Sequence, residues 1–236
     1  QEKGTFANNS RAADLLGIPE LKEETSNNYS LGITMKIPNS NLSLTVDVYQ
    51  IDIKDRVVYT GSFSAGTDPE LQAIFAAAGA TTAAFFANAI DTRSKGLDVV
   101  ISHNKLFKND LLLKNDLSAT FSSTEQVGDI KTTDQLKDQA TTFFGERQKL
   151  FLEQAMPRVK VNLTNIIKHN KWSFMLRNVY FGEVTDPDSH ADVDANGNSD
   201  LTYYGGKIIT DLSVGYDFSN QFRITVGSNN LLDVYP

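Results

Sequence analysis

The sequence predicts an all-β chain: about eight consecutive antiparallel strands of a transmembrane β-barrel, with short helices in the longer connections. Alternation is the first reason. Near the end of the chain Leu212, Val214, Tyr216 and Phe218 point one way, and Asp211, Ser213, Gly215 and Asp217 point the other. Phe222, Ile224 and Val226 then alternate with Gln221, Arg223, Thr225 and Gly227, a period of two that marks strands with one apolar and one polar face. Strand length is the second reason, since runs of ten or more residues suit a tilted membrane crossing better than a soluble sheet, whose strands average about five or six. The third is loop length: the turns after strands one, three, five and seven are short, and those after two, four and six are long.

Taken in order, residues 1–26 read as a loop with a helix at residues 11–16, Ser10 its N-cap and Gly17 its stop, with Pro19 beyond. The first strand sets Tyr29, Leu31, Ile33, Met35 and Ile37 against Ser30, Gly32, Thr34 and Lys36. After a turn at residues 38–41, the second sets Leu42, Leu44, Val46 and Val48 against Ser43, Thr45 and Asp47. Its apolar phase then slips to Tyr49, Ile51 and Ile53, which predicts a bulge near Val48. An excursion over residues 54–88 holds a helix at 68–78. Strand three covers residues 89–102, and a turn at 104–110 leads to strand four, where Leu111, Leu113, Leu117, Ala119 and Phe121 share a face. Residues 122–156 form a second excursion with a helix near 134–144, stopped by Gly145. Strand five begins at Pro157, and a tight turn at 168–171 leads to strand six, with Trp172, Phe174, Leu176 and Tyr180 together. A polar loop over residues 184–206 returns to the last two strands.

Composition narrows the classes. The chain has 236 residues, 40% of them hydrophobic, with a formal net charge of -7. That size suits one large all-β domain or two small ones. An acidic balance argues against nucleic acid, which needs a basic footprint. With no cysteine, disulfides and thiolate metal sites are excluded. Gln1, Glu2, Lys3 and Gly4 form no apolar leader, as expected of a mature chain or an internal fragment. The uncharged run 71–90 approaches a spanning helix in length, but Gln72, Gly79, Thr81, Thr82 and Asn88 dilute it, and Asp68-Pro69-Glu70 reads as the capped start of an ordinary helix.

Several short stretches, in order, resemble the barrel of TonB-dependent outer-membrane receptors. Residues 21–32 are similar to the family's L-x-P-E-x-x-x-N-Y-E-x-G, with Glu23 where proline is usual and Ser30 where glutamate is usual. TVDVYQIDIKDRV, residues 45–57, resembles D-x-Y-x-I-x-I-x-D-R-I; residues 91–98 resemble the stretch that ends in G-x-E/D, here Gly96 and Asp98. Residues 157–163 resemble P-x-x-K-x-x-L, and residues 180–183 a frequent strand ending. Gly227, Asn230, Leu231, Asp233, Tyr235 and Pro236 follow G-x-x-N-L-x-D-x-x-Y/P, which in the family precedes one closing strand. The resemblance implies that residues 1–236 are the C-terminal segment of a 22-stranded barrel whose plug, early strands and closing strand lie outside this sequence. It implies active import of a scarce bulky nutrient, such as a ferric siderophore, cobalamin or an oligosaccharide. The expected partners are the TonB complex through the plug, the nutrient at the extracellular loops, outer-membrane lipid and a surface lipoprotein.

No catalytic constellation stands out, and an enzyme is not expected. His103, His169 and His190 are scattered, and serine lacks an elbow motif. The loop at residues 186–200 contains D-x-D-x-N-G-x-x-D, which makes Asp192, Asp194, Asn196, Asn198 and Asp200 candidate Ca2+ ligands. Tyr203 replaces the bidentate glutamate of an EF-hand loop, and a solvated acidic turn accounts for the same residues. No cofactor is required. Tyr29, Trp172, Tyr180, Tyr216 and Phe218 are expected in aromatic girdles. Lys36, Asp47, Asp98, Lys114, Asp116, Lys160, Arg177, Asp211 and Arg223 are expected on the lumen face. The alternative from another class is a soluble sandwich or small self-closed barrel, serving as a cell-surface binding or adhesion module with calcium.

Overall fold

A computed structural model describes residues 2–187 and 201–235 of the chain. The elements run β1 (Lys3–Thr5), α1 (Arg11–Leu16), β2 (Thr25–Ile37), β3 (Leu42–Tyr59), β4 (Phe63–Ser64), α2 (Pro69–Ala77), β5 (Thr82–Ala84) and β6 (Phe86–Leu106). They continue as β7 (Leu111–Val127), α3 (Ala140–Phe143), α4 (Glu146–Gln154), β8 (Val159–His169), β9 (Trp172–Phe181), β10 (Val184–Pro187), β11 (Leu201–Tyr204), β12 (Lys207–Asp217) and β13 (Arg223–Ser228). Eight of the strands form one sheet, in the order β13-β12-β9-β8-β7-β6-β3-β2. Up-and-down antiparallel order is what consecutive barrel strands have. Its edges are β2 and β13, which do not pair with each other, so the eight strands do not close into a small barrel.

The helices start and stop where the sequence places them. Ser10 Oγ accepts the Ala13 N–H, and Gly17 takes the left-handed conformation (φ 70°) that ends α1. Asp68 caps α2 by accepting from the Glu70 and Leu71 amides, with Pro69 at the first helical position. Among the described residues no helix is long and apolar enough to cross a membrane. Residues 71–90 divide between α2, β5 and β6. Strands β3, β6 and β7 run longer than their alternation suggests, with 18, 21 and 17 residues. β3 is unbroken through Val48, and its backbone irregularity falls instead at Asp55, φ 56°. Beyond Gly145, where the sequence predicts a stop, the chain restarts as a further helix, α4.

The chain divides into two compact units. Unit 1 comprises Gln1–Asn28, Ile51–Ser94 and Thr124–Glu153. It holds all the fully buried apolar residues of the described chain: Ala12, Ala13 and Ile18 from the first segment, Phe63, Leu71, Phe75, Phe85 and Ile90 from the second, and Leu136, Phe143 and Phe144 from the third. Phe63 meets Phe85 and Phe143 edge-on, with ring centroids 6.0 and 5.5 Å apart. A small sheet, β1-β5-β4, lies in this unit. The long excursions are therefore a packed miniature domain rather than loose loops, because five phenylalanines bring enough apolar area to offset the entropy of ordering them.

Unit 2 comprises Tyr29–Gln50, Lys95–Ser123 and Gln154–Pro236. It contributes no residue to the apolar core. Instead one face of its sheet carries large apolar side chains in the open: Leu31 is 75% exposed, Ile33 56%, Val226 71% and Ile208 54%. A soluble sheet would cover such a face. A membrane-spanning one turns it to lipid.

Candidate functional site: the polar wall of the sheet

Strand register fixes which side chains share the polar face. Asp116 pairs with Thr164, Thr164 with Arg177, and Arg177 with Asp211. In the same way Thr120 pairs with Lys160, Lys160 with Phe181, and Phe181 with Lys207. The charges predicted for the lumen therefore stand in rows, and several are joined. Arg177 Nε donates to Asp211 Oδ2 at 2.7 Å. Arg223 Nη2 donates to Asp217 Oδ2 at 2.6 Å across the last hairpin. Thr120 donates to Asp98 at 2.6 Å, and the Lys160 ammonium stands 5.1 Å from the centre of the Phe181 ring. The carboxylate of Asp47 lies against Gly32, where a Cβ would come within 1.9 Å of its Oδ1.

One end of this wall has a cavity of about 300 Å3 lined by Phe181, Tyr204, Lys207, Ile209, Val234 and Tyr235, among others. Its lining is chiefly apolar, with Lys207 the one charged residue in it. The turn after β13 supplies Val234 and Tyr235, held there because Asn230 bonds Val234 twice, at 3.0 and 3.1 Å, and Leu231 N–H donates to Thr210 O. Asn230 and Asp233 sit at positive φ, 49° and 54°, which short polar side chains tolerate. The Asn and Asp of the N-L-x-D stretch thus shape a turn.

In unit 1 the charged side chains gather around Lys131. Its ammonium donates to Asp55 at 2.8 Å and to Asp91, and Lys22 reaches Asp55 at 3.0 Å. Burial works against the Lys131 charge, but the hydrogen bonds and charges of Asp55 and Asp91 outweigh it and hold its pKa above the ordinary lysine value. The members of this hub are far apart in the chain, so no local sequence signal marks it.

Four of the residues expected in girdles lie towards the two ends of β9 and β12. Trp172, Tyr216, Phe218 and Phe222 form a continuous aromatic cluster beside the short turns, with neighbouring centroids 4.7, 4.8 and 5.7 Å apart. Tyr180 lies eight residues away along β9, about 20 Å of rise at a tilt near 40°, which is close to the height of the apolar band of a transmembrane barrel. The candidate Ca2+ ligands Asp192, Asp194, Asn196, Asn198 and Asp200, like His190, lie outside the described residues. Among the described residues no cluster of three or more histidine, aspartate or glutamate side chains could hold a metal.

Residues 3–231 match the family model for the TonB dependent receptor-like β-barrel. The chain belongs to that family. It is accordingly part of a bacterial outer-membrane β-barrel, and its family is one of receptors. Solved TonB-dependent receptors share the fold at low identity. The FrpB iron transporter from Neisseria meningitidis superposes with a TM-score of 0.60 at 12% identity, over 92% of this chain and 28% of that one. The ferripyoverdine receptor of the Pseudomonas aeruginosa outer membrane, bound to ferripyoverdine, gives 0.57 at 15%, over 91% and 24%. The ferric enterobactin receptor of the same organism gives 0.55 at 18%, over 90% and 26%. The chain thus spans about a quarter of the length of the receptors it resembles. No curated protein sequence matches it.

Proposed function

We propose that this segment is the wall and long-loop portion of a receptor that imports a scarce, bulky nutrient, energised by TonB through a plug domain. The observation that carries the reading is the sheet itself: eight antiparallel strands, apolar on one face and charged in rows on the other, in a chain that matches the receptor-barrel family. A ferric chelate is the preferred cargo over cobalamin or an oligosaccharide, because several similar solved receptors are named for iron or its chelates, although one is a copper transporter. The Lys160–Phe181–Lys207 row, with an aromatic residue in register between two lysines, suits an anionic or π-rich chelate. On this reading the protein transports and does not catalyse. The loops also meet a surface lipoprotein, and the 186–200 loop takes Ca2+; isothermal titration of the whole receptor with millimolar calcium gives heat if so and none if not.

The test of transport is a strain from which the gene for the full-length receptor is deleted, starved of iron and supplied with radiolabelled chelates one at a time. Uptake of one ferric chelate falls to background and returns with the gene. Undiminished uptake of every chelate tried, with loss of cobalamin or oligosaccharide uptake instead, would replace the cargo. Undiminished uptake of all of them would refute the import reading.

A further inference from the structure

Four separate pieces of unit 2 converge on the cavity at one end of the polar wall. Phe181 comes from the end of β9, Lys207 and Ile209 from the start of β12, Tyr204 from the β10–β11 pair, and Val234 and Tyr235 from the turn after β13. These walls are fixed by the protein itself. Tyr204 is in register with Val184 of β10, and the Gly182 N–H donates to Val159 O at 2.7 Å where the chain leaves β9. Asn230 holds Val234 by two hydrogen bonds, and Asp211 holds Asn230 by its amide. Small-molecule pockets run from about 300 to 1,000 Å3. At about 300 Å3 this one has room for a single ring-sized arm and not for a whole bulky nutrient.

The lining restricts what can enter. It has no histidine and no carboxylate, the side chains that would ligate a bare metal ion in a chain without cysteine. A sugar would find only two tyrosine hydroxyls and one ammonium among the side chains for its many hydroxyls, and polar groups left unpaired on burial are costly. The one charged residue is Lys207. Arg177 and Arg223 of the polar wall are each tied to a carboxylate. Lys207 has no carboxylate partner among the described residues, and nor does Lys160, whose ammonium stands by the Phe181 ring. Two uncompensated lysines on the strands either side of Phe181 attract an anion. Phe181 and the two tyrosines offer a flat ring its partners.

We propose that this pocket takes one flat aromatic anion, a ring bearing a carboxylate or phenolate, as an arm of the imported nutrient. The ring packs against Phe181 and the tyrosines, and Lys207 meets the negative group. The pocket reads the organic arm of the cargo and not its metal. This rests on the import reading, because the polar wall has to line the path of the cargo.

Salicylate, a ring with a carboxylate and no metal, is the probe, and salicylamide is its uncharged counterpart. Saturation-transfer NMR reads each at millimolar concentration against the full-length receptor in lipid nanodiscs. Salicylate should take up saturation at least about fivefold more strongly than salicylamide, the factor expected of one charge pair. Lys207→Met should bring salicylate down to the salicylamide level, and Lys114→Met on β7 should leave it unchanged. A Cβ at Gly205, which lines the cavity, meets no atom within 4 Å, so Gly205→Leu is accommodated and should block both probes. Each variant is checked for the heat-resistant band of an intact barrel. No salicylate signal, equal signals from the two probes, or a salicylate signal that survives both Lys207→Met and Gly205→Leu would overturn the pocket. The uptake experiment is decided separately: a receptor that restores uptake of a ferric chelate but binds no salicylate keeps the import reading and loses this one.

Discussion

Arg177 and Asp211 face each other in register on β9 and β12, with Arg177 Nε donating to Asp211 Oδ2 at 2.7 Å while Asp211 Oδ1 accepts the Asn230 amide at 2.8 Å. One carboxylate, only 4% exposed, thus ties two strands of the polar wall to the turn that follows β13. Replacing it with alanine strands a guanidinium and a backbone N–H together. Asp211→Ala should lower the temperature at which the barrel loses its heat-resistant band on a gel and open the segment after β13 to protease. Asp211→Asn keeps an acceptor for Asn230 and should fall between the two. Identical melting and cleavage for all three proteins would show that the tie is not structural.

The phenylalanine cluster makes a separate prediction about unit 1. Phe85 is fully buried, and its backbone is doubly bonded to Thr60, at 2.9 Å to the amide and 3.0 Å to the hydroxyl. Phe85→Ala should cost about 3–5 kcal/mol in the stability of this unit. Hydrogen exchange is the measurement that separates the units: amides of α1, α2 and β5 should exchange faster, and those of β8, β9 and β12 should not change. Uniform acceleration throughout would contradict the division into two packed bodies.

Arg11 and Glu70 join α1 to α2 at 2.8 Å. The hydrogen bond from Arg11, and then its charge, hold the Glu70 carboxyl below the ordinary glutamate value of 4.5. A carboxyl depressed in the folded state contributes stability above its unfolded pKa and loses it as the pH falls through the folded one. The pair therefore stabilises α1 and α2 at neutral pH, and the contribution is lost as the pH falls through and below the ordinary glutamate range. Both side chains are largely exposed, so the effect is small and falls with salt. Arg11→Met should slow the acid-induced rise in exchange at α1 and α2; an unchanged acid profile would remove the pair from the account.

Gly96 is a residue whose role only the structure explains. A Cβ there would lie 2.2–2.4 Å from the ring and hydroxyl of Tyr49, so the ring occupies the space that a side chain would fill. Aromatic cover of a glycine on a neighbouring strand lets the sheet bend without leaving a hole. Gly96→Val should displace Tyr49 and reduce the fraction of receptor that assembles in the membrane, whereas Tyr49→Phe should assemble normally. Full assembly of Gly96→Val would show that the close approach is incidental.

Much of this was legible in the sequence, for a physical reason. Alternation along Leu111, Leu113, Leu117 and Phe121 is local and follows directly from the pleat. The caps Ser10, Gly17 and Asp68 are equally local. What was illegible is assembled from a distance. Phe63, Phe85 and Phe143 meet across eighty residues of chain and look like ordinary loop hydrophobics until packed. Lys131 finds Asp55 and Asp91 in the same way. β3 and β7 end at Tyr59 and Val127, beyond where alternation places their ends, because alternation weakens where both faces become partly covered.

One face of this sheet meets lipid and the other does not, and two adjacent residues of β8 decide it. Leu163 pairs with Leu117 on the apolar face, and Thr164 pairs with Asp116 on the polar one. A nitroxide at each position in turn, in the full-length receptor in lipid bilayers, reports its surroundings by relaxation. The label at Leu163→Cys should be relaxed strongly by oxygen, which concentrates in hydrocarbon, and weakly by a water-soluble nickel chelate; the label at Thr164→Cys should escape oxygen. The reverse order, or two labels that respond alike, would contradict the barrel wall described here.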